Sequence, residues 1–462
     1  MSFKMKKIKK TNTLLNLIWL IIIFSLAFLW VYAVQSINLW NNKYKAWKWV
    51  YSEETKEYKK EIWILIVWRW WFTWGNDAPN LTDTIILAKI NKDKKNVSLL
   101  SIQRDLYVNY ATNPNEKEWT GKINSVYPHY LWRLKDETQA MHKLAEKIKD
   151  ITWEETDYFV NVDFAWFKKI IDTLGWVEID VKESFVDRTY PDWNWWYKTI
   201  SFKKWLQTMD WEKALEYSRS RHSTSDFDRS LRQQQVIQAV KNKIMSSYTI
   251  NSPAKVTELY NIFKENIFTD VSINDAITLA LDLWLLKENY KFISSNFNDT
   301  CWSPTADCEK WWIIYVPNRE LFWWAWVSLI NWSTVNSLSK YDLSRKYSDI
   351  VLNYPRLEEE DAKISIFNAS KVTWAWVFVN NMKRYWFKFT EKEAVANAPE
   401  TMEESIIYYN WIDAESDTIQ ALKKFFKWKF ERVSEPKFST QKAKIEIVIW
   451  KDYVKDNSIF NF

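Results

Sequence analysis

Apolar positions along the chain follow two periods. Runs rich in β-branched residues at 62–67 (IWILIV), 83–91 (DTIILAKIN) and 96–103 (NVSLLSIQ) predict strands. The last two are joined by KDKK, a polar tetrad that predicts a hairpin turn. Helical spacing marks 138–151 and 164–174 (FAWFKKIIDTL), the latter leading through Gly175-Trp176 into a strand at 177–181. A short helix is predicted from 211 to 217, a long one over 228–247, and two more at 254–265 and 273–285. Residues 334–362 are charged and read as a linker. Beyond them come a strand at 363–368, a helix at 377–385, a strand at 405–409, a helix at 417–426 and a strand at 443–449. Strands alternating with helices predict an α/β class.

The N-terminal pattern is different. Residues 14–34 run for 21 positions without a charge, enough to cross a bilayer as a helix. Lys4, Lys6, Lys7, Lys9 and Lys10 precede this run, so the positive-inside rule puts the N-terminus in the cytoplasm and the bulk of the chain outside the cell. A cleaved signal peptide is the rival reading, but the apolar run is long and Ala33-Val-Gln-Ser36 is a poor cleavage site. An uncleaved single-pass anchor is expected, followed by a polar stalk over 35–60.

Composition changes the picture at one point. The chain has 34 Trp and only 3 Gly in 462 residues. Together they make up about 8% of the chain, close to the usual share of Gly alone, about 7%. Turns and helix C-caps need residues that adopt positive φ, and three glycines cannot serve a chain of this length. The segment WRWWFTWGNDAPN at 68–80 puts four Trp in a loop after a strand. Some bacterial lineages read the UGA codon as glycine, while a common alternative table reads it as tryptophan. Most Trp here are therefore expected to stand for glycine; the alternative is a Trp-rich carbohydrate-binding module.

The net charge of +6 owes five units to the N-terminal lysines. The remainder is nearly balanced, so charge makes no case for nucleic acid as a partner. The two cysteines, Cys301 and Cys308 in CWSPTADC, read as one local disulfide outside the membrane, with two free thiols as the alternative. His129, His142 and His222 are scattered and show no zinc-ligand spacing.

Three stretches carry candidate chemistry. One holds Asp77 and Asp83 with Thr82 and Thr84; a second is SIQRD at 101–105, followed by Lys122-Ile-Asn124. The third is Arg219-Ser-Arg221, followed by DFDRSLRQ at 226–233. Arg presents a planar fork that binds phosphate oxygens in pairs. Carboxylates beside a phosphate suit Mg2+. Arg, Asp and Mg2+ together suit displacement at a phosphoryl centre. Surface salt bridges are the bland alternative for any one of these side chains. On a helix beginning near Asp226, Arg229 and Gln233 lie four apart and share a face.

The segments TDTIILAKINKDKKNVSLLSIQRDLYV, KIN, IIDTLGWVEIDV, KKWLQTMDWEKALEYSRSR and SDFDRSLRQQQ follow in this order after one apolar span. The chain thereby resembles the LytR-CpsA-Psr family of cell-wall ligases over roughly residues 61–300. Trp205 and Trp211 occupy glycine places of the family pattern, and Gly175-Trp176 stands where the pattern has Gly-Gly. The segments ISIFNASKVTWAWVFVNNMKRYWFKF and IEIVIWKDY resemble the separate C-terminal domain often attached to this family.

The resemblance implies an αβα sandwich with a central mixed sheet, plus the N-terminal transmembrane helix and a small C-terminal α/β domain. The expected layout is a tail at 1–13, an anchor at 14–34, a stalk at 35–60, a catalytic domain with extension at 61–333, a linker at 334–362 and the C-terminal domain at 363–453. The implied reaction moves a glycopolymer from a polyprenyl-pyrophosphate carrier onto peptidoglycan, with Mg2+, at the outer face of the cell membrane. Asp83 matches a metal-holding Asp, and Asp77 is the candidate for a second. Arg104, Arg219, Arg221 and Arg229 match pyrophosphate-binding arginines, Gln233 matches the Gln after them, and Asp226 is the candidate base beside catalytic Arg104. The chain departs from the pattern at Leu81, where the family has Arg, and Arg69 is the candidate to fill that place. Gln103 replaces a Pro. A pyrophosphatase using water, and a non-catalytic wall-binding or regulatory protein, remain alternatives.

Overall fold

The computed structural model describes residues 59–69, 80–111, 119–191, 197–220, 252–271 and 291–297, most of 313–450, and single positions between 232 and 275. In chain order these form β1 (Glu61–Arg69), β2 (Thr82–Asn91), β3 (Asn96–Ile102), β4 (Tyr107–Asn109), β5 (Thr120–Lys122), α1 (Val126–Leu134) and α2 (Glu137–Thr152). Then come β6 (Tyr158–Asp163), α3 (Phe164–Leu174), β7 (Val177–Val181), β8 (Phe185–Pro191), β9 (Tyr197–Phe202), β10 (Trp205–Met209) and α4 (Trp211–Arg219). Next are α5 (Pro253–Asn266), β11 (Ile267–Thr269), β12 (Lys291–Asn296), β13 (Ile314–Tyr315), β14 (Leu329–Ile330) and α6 (Asp342–Asn353). The chain closes with β15 (Lys363–Asn368), α7 (Ala375–Arg384), β16 (Lys388–Phe389), β17 (Ala396–Asn397), β18 (Ile406–Tyr409), α8 (Asp417–Phe425), β19 (Lys429–Arg432) and β20 (Ile445–Ile449).

Two compact units result. Of the described residues, one unit takes those within 59–97, 131–138 and 157–292, the other those within 98–130, 139–156 and 293–450.

The first unit is built on β1. Its last six residues are all buried, as expected of a strand covered on both faces. It pairs antiparallel with β2 and parallel with β6, and β6 pairs antiparallel with β11, so the sheet is mixed. Parallel pairing requires a crossover away from the sheet. Helix α3 follows β6 directly and is fastened to α5 by Thr173 donating to Glu258 (3.0 Å) and by Lys255 donating to the Thr173 carbonyl (3.1 Å). Two antiparallel ribbons, β7 with β10 and β8 with β9, lead into α4.

In the second unit, β4 and β5 form a hairpin and β13 pairs with β14. Residues 363–450 form a separate mixed sheet in the order β16-β15-β20-β18-β19, with α7 and α8 in its connections. Glu446, fully buried on β20, accepts from the backbone N–H groups of Lys437 (2.6 Å), Phe438 (2.7 Å) and Ser439 (2.6 Å), so its charge is satisfied inside the fold. The segment 334–362 carries α6, whose Ser344 hydroxyl and Arg345 Nε donate to the carbonyls of Ile151 and Asp150 at the end of α2, both at 2.7 Å. Its buried face includes Ser344 and Ser348, so the apolar period that would announce a helix is diluted.

Left-handed backbone is concentrated at tryptophan. Among the described residues, eleven non-glycine positions have positive φ, and seven of them are Trp153, Trp205, Trp323, Trp324, Trp332, Trp386 and Trp411. Trp153 directly follows α2 with φ 65°, and its N–H donates to the Lys149 carbonyl, which is the C-cap geometry that favours glycine. Trp205, with φ 112°, is 74% exposed, so its ring gains little packing to offset the strain at Cβ. Trp205→Gly is expected to raise stability by about 1 kcal/mol. Urea unfolding checks this, and a lowered midpoint refutes it.

Candidate functional site

In the first unit the candidate residues gather where β1 ends. Trp68 faces Thr84 but Arg69 faces Thr82, so the ladder slips and Asp83 becomes the extra residue of a bulge. Bulges re-aim side chains and recur beside active sites. Arg69 is 8% exposed, and its Nη1 donates to Asn80 Oδ1 (3.4 Å) and to Glu137 Oε1 (3.3 Å) at the start of α2. The Arg69 guanidinium thus lies beside the residue that precedes Leu81. Asp83 is half-buried, next to fully buried Thr82. Because β1 and β6 are parallel and Arg69 is in register with Asp163, this is the carboxyl end of a parallel pair, where open α/β sheets place ligands.

The second cluster sits at the C-terminal end of α4. Asp210 caps the helix, accepting from the Lys213 N–H at 2.9 Å, so the Asp of the LQTMD stretch has a structural task. Arg219 occupies the last turn, where a cation complements the helix dipole, and its guanidinium lies 6.0 Å from the Tyr190 ring centre. Burial pushes the Tyr190 phenol up, while the Arg219 charge pulls it down. Lys198 on β9 bonds Glu216 (2.5 Å) and Glu212 (3.4 Å) of α4, and the Glu216 bond raises the Lys198 ammonium.

Arg104 belongs to the second unit. Its Nε approaches Asp105 Oδ2 at 3.4 Å, and Lys122 Nζ reaches Asp105 Oδ1 at 2.5 Å. Two cations thus share one carboxylate, and all three side chains are partly exposed. The backbone here is held from two directions. The Asn124 N–H donates to the Arg104 carbonyl (3.3 Å), and Ser328 bonds on either side through Asp105 O (3.0 Å) and Tyr107 N (2.8 Å). The KIN stretch therefore supplies both a lysine and a backbone clasp.

Asp77, Arg221, Asp226, Arg229 and Gln233 lie outside the described residues, as do Cys301, Cys308 and the apolar run at 14–34. Among the described residues no helix is long and apolar enough to cross a membrane, and no group of three or more His, Cys, Asp or Glu is arranged around a cation.

Comparison with known proteins decides the family. The LytR_cpsA_psr family model matches residues 40–304 of the 462-residue chain. The chain belongs to this family. It is 29% identical over 200 residues to the polyisoprenyl-teichoic acid–peptidoglycan teichoic acid transferase TagV of Bacillus subtilis (strain 168), a match covering 43% of this chain and 47% of the relative. To the cell wall biosynthesis protein LcpA of Corynebacterium glutamicum it is 27% identical over 215 residues, covering 42% of this chain and 39% of that protein. The match spans less than half the length of each of these two relatives. Among solved structures, B. subtilis TagV aligns with 22% identity and a TM-score of 0.40, covering 64% of this chain and 99% of that one. A structure of TagT bound to LIIa-WTA aligns with 21% identity and a TM-score of 0.40, covering 65% and 95%.

In this LytR_cpsA_psr protein, sequence motifs give no role to Lys122 of the second unit, in the KIN stretch, or to Arg232 of the first, one residue before Gln233. The task of Arg232 depends on contacts with β8 and α4. The signal available for each was its place inside a quoted motif. Tyr217, on the buried face of α4, bonds Gln235, and burial pushes its phenol from 10.0 up to about 12. Because the folded value is raised, the stability that Tyr217 contributes is whole below pH 10 and fades as pH climbs towards 12. Thermal melts across that window are expected to show a steeper loss for the parent chain than for Tyr217→Phe.

Proposed function

We propose that this protein moves a glycopolymer from a polyprenyl-pyrophosphate carrier onto a peptidoglycan hydroxyl. Membership of the LytR_cpsA_psr family, whose relatives TagV and TagU carry transferase names of that kind, is the observation that carries this reading. In the proposed reaction the acceptor oxygen bonds to the glycan-side phosphorus. The bond from that phosphorus to the bridging oxygen breaks, and polyprenyl phosphate leaves with the bridging oxygen. The acceptor proton passes to Asp226. Arg104, Arg219, Arg221 and Arg229, with Arg69 and Gln233, bind and orient the diphosphate oxygens.

Asp83 is a half-buried hard-oxygen donor on a bulge, which fits an ion that takes one or two carboxylates and completes its shell with phosphate and water. Asp83 and Asp77 would hold Mg2+, which when bound supplies neutralisation of charge on the diphosphate. The geometry supports a place for Lys122 beside Arg104, because Asp105 holds both cations together.

Residues 14–34 serve as the single-pass membrane anchor in this proposal, with the enzymatic part outside the cell. The tryptophans with positive φ support glycine as the residue made at most Trp positions. UGA codons in the gene at those positions, and an intact mass below that of the written chain, are the expected results; UGG codons would refute it.

Arg104→Ala is expected to lower transfer from a polyprenyl-pyrophosphate glycan to peptidoglycan by about a hundredfold or more. Lys122→Ala is expected to lower it by about tenfold, and chelation of divalent cations to abolish it. Product release assays with and without peptidoglycan check these outcomes. Undiminished release when peptidoglycan is omitted would identify water as the acceptor and overturn the transferase reading.

A further inference from the structure

Ser220, between Arg219 and Arg221, is 1% exposed and has every polar group engaged within the first unit. Its N–H donates to the Glu216 carbonyl at 3.2 Å, closing the last turn of α4. Its hydroxyl donates to Asp187 Oδ2 at 2.6 Å, and its carbonyl accepts from Arg232 Nη2. Arg232 also donates through Nε to the Tyr217 carbonyl at 2.9 Å and lies 4.7 Å from the Phe185 ring centre. Asp187 is 1% exposed and Arg232 5%. Both are too deeply buried to meet a ligand from solvent, so their task lies in what they hold.

The hairpin β8–β9 explains how Asp187 arrives there. Its ladder shifts between Asp187 and Tyr190, and the buried positions pass from 187 to 190, three apart where a regular strand would step by two. The irregularity turns both side chains inward. Asp187 then meets the Ser220 hydroxyl while also accepting from the Thr189 N–H (3.0 Å) and hydroxyl (3.2 Å), and Tyr190 lies under the Arg219 guanidinium. One hairpin irregularity thus supports the side chains of both Arg219 and Ser220.

We propose that Asp187, Ser220 and Arg232 form a buried clamp that sets the course of the chain through Arg219 and Ser220, and that these three are positioning residues for Arg219, one of the arginines proposed to grip a lipid diphosphate. The inference rests on the diphosphate-binding reading given above and assigns work to residues that never touch the ligand. A buried carboxylate and a buried guanidinium bracket one serine from opposite sides, so removing either leaves polar groups unsatisfied and the chain end free to shift. A displacement of about 1 Å is enough to cost about a hundredfold in a positioned reaction.

The test uses the full chain with geranylgeranyl pyrophosphate as the probe, titrated calorimetrically alongside thermal melts. Ser220→Ala and Asp187→Leu are expected to weaken binding by about tenfold or more while still melting cooperatively. Asp187→Asn, which keeps an acceptor for the serine hydroxyl, is expected to recover most of the affinity, a pattern that general destabilisation does not produce. Should Asp187→Leu fail to fold, Ser220→Ala decides alone. Wild-type affinity in Ser220→Ala, together with lost affinity in Arg219→Ala, overturns the clamp and leaves the diphosphate reading standing. Wild-type affinity in Arg219→Ala overturns both.

Discussion

Taking a guanidinium out of water is costly unless it finds a partner, and that need is the constraint on which the described arginines depend. In low dielectric a few unscreened guanidinium groups would drive a loop apart. Within each unit the fold answers with a fixed neighbour for each described arginine. Arg69 meets Glu137 and Asn80, Arg104 and Lys122 share Asp105, and Arg219 lies near Tyr190 at a helix C-terminus. Arg232 is occupied by two backbone carbonyls. Preorganisation of this kind is what an electrostatic site requires, because donors already in place need no rearrangement during reaction.

The partners also sort the arginines by task. In the first unit Arg69 lies at a strand end and Arg219 at a helix end; in the second, Arg104 lies in the turn between β3 and β4. Arg232 is buried against Phe185 and spends its donors on α4. The same residue type in one motif thus divides into groups placed for a ligand and a group placed for the chain. A helix end leaves carbonyls without partners, and a buried Arg is well suited to satisfy several at once.

The tryptophans connect composition to conformation. A turn needs positive φ for the geometry of the elements it joins, whatever residue stands there. Left-handed backbone, which favours glycine, falls at Trp153, Trp205 and Trp411, among others, where the chain has its bulkiest side chain. The bulge at Asp83 and the shift at Asp187 are the complementary case: backbone irregularity that aims a chemical group.

Local patterning decided a large part of this protein. Residues 164–174 and 177–181 fold as the helix and strand their periodicity predicts, and the strands from 62 to 103 follow to within two residues at each end. The arginines and acids stand out as candidates because residue type and short motif carry their chemistry. Only the tertiary structure decided which of them are held and by what. Arg69 meets Glu137 across 68 residues and Ser220 meets Asp187 across 33, separations over which no periodicity carries information. Strand β6 (YFVNVD) and helix α6 escaped the pattern because a short strand is told by its partners, and because serines can cover a buried face when carbonyls stand opposite. Periodicity records which side of an element is buried. What lies against that side is settled by the fold.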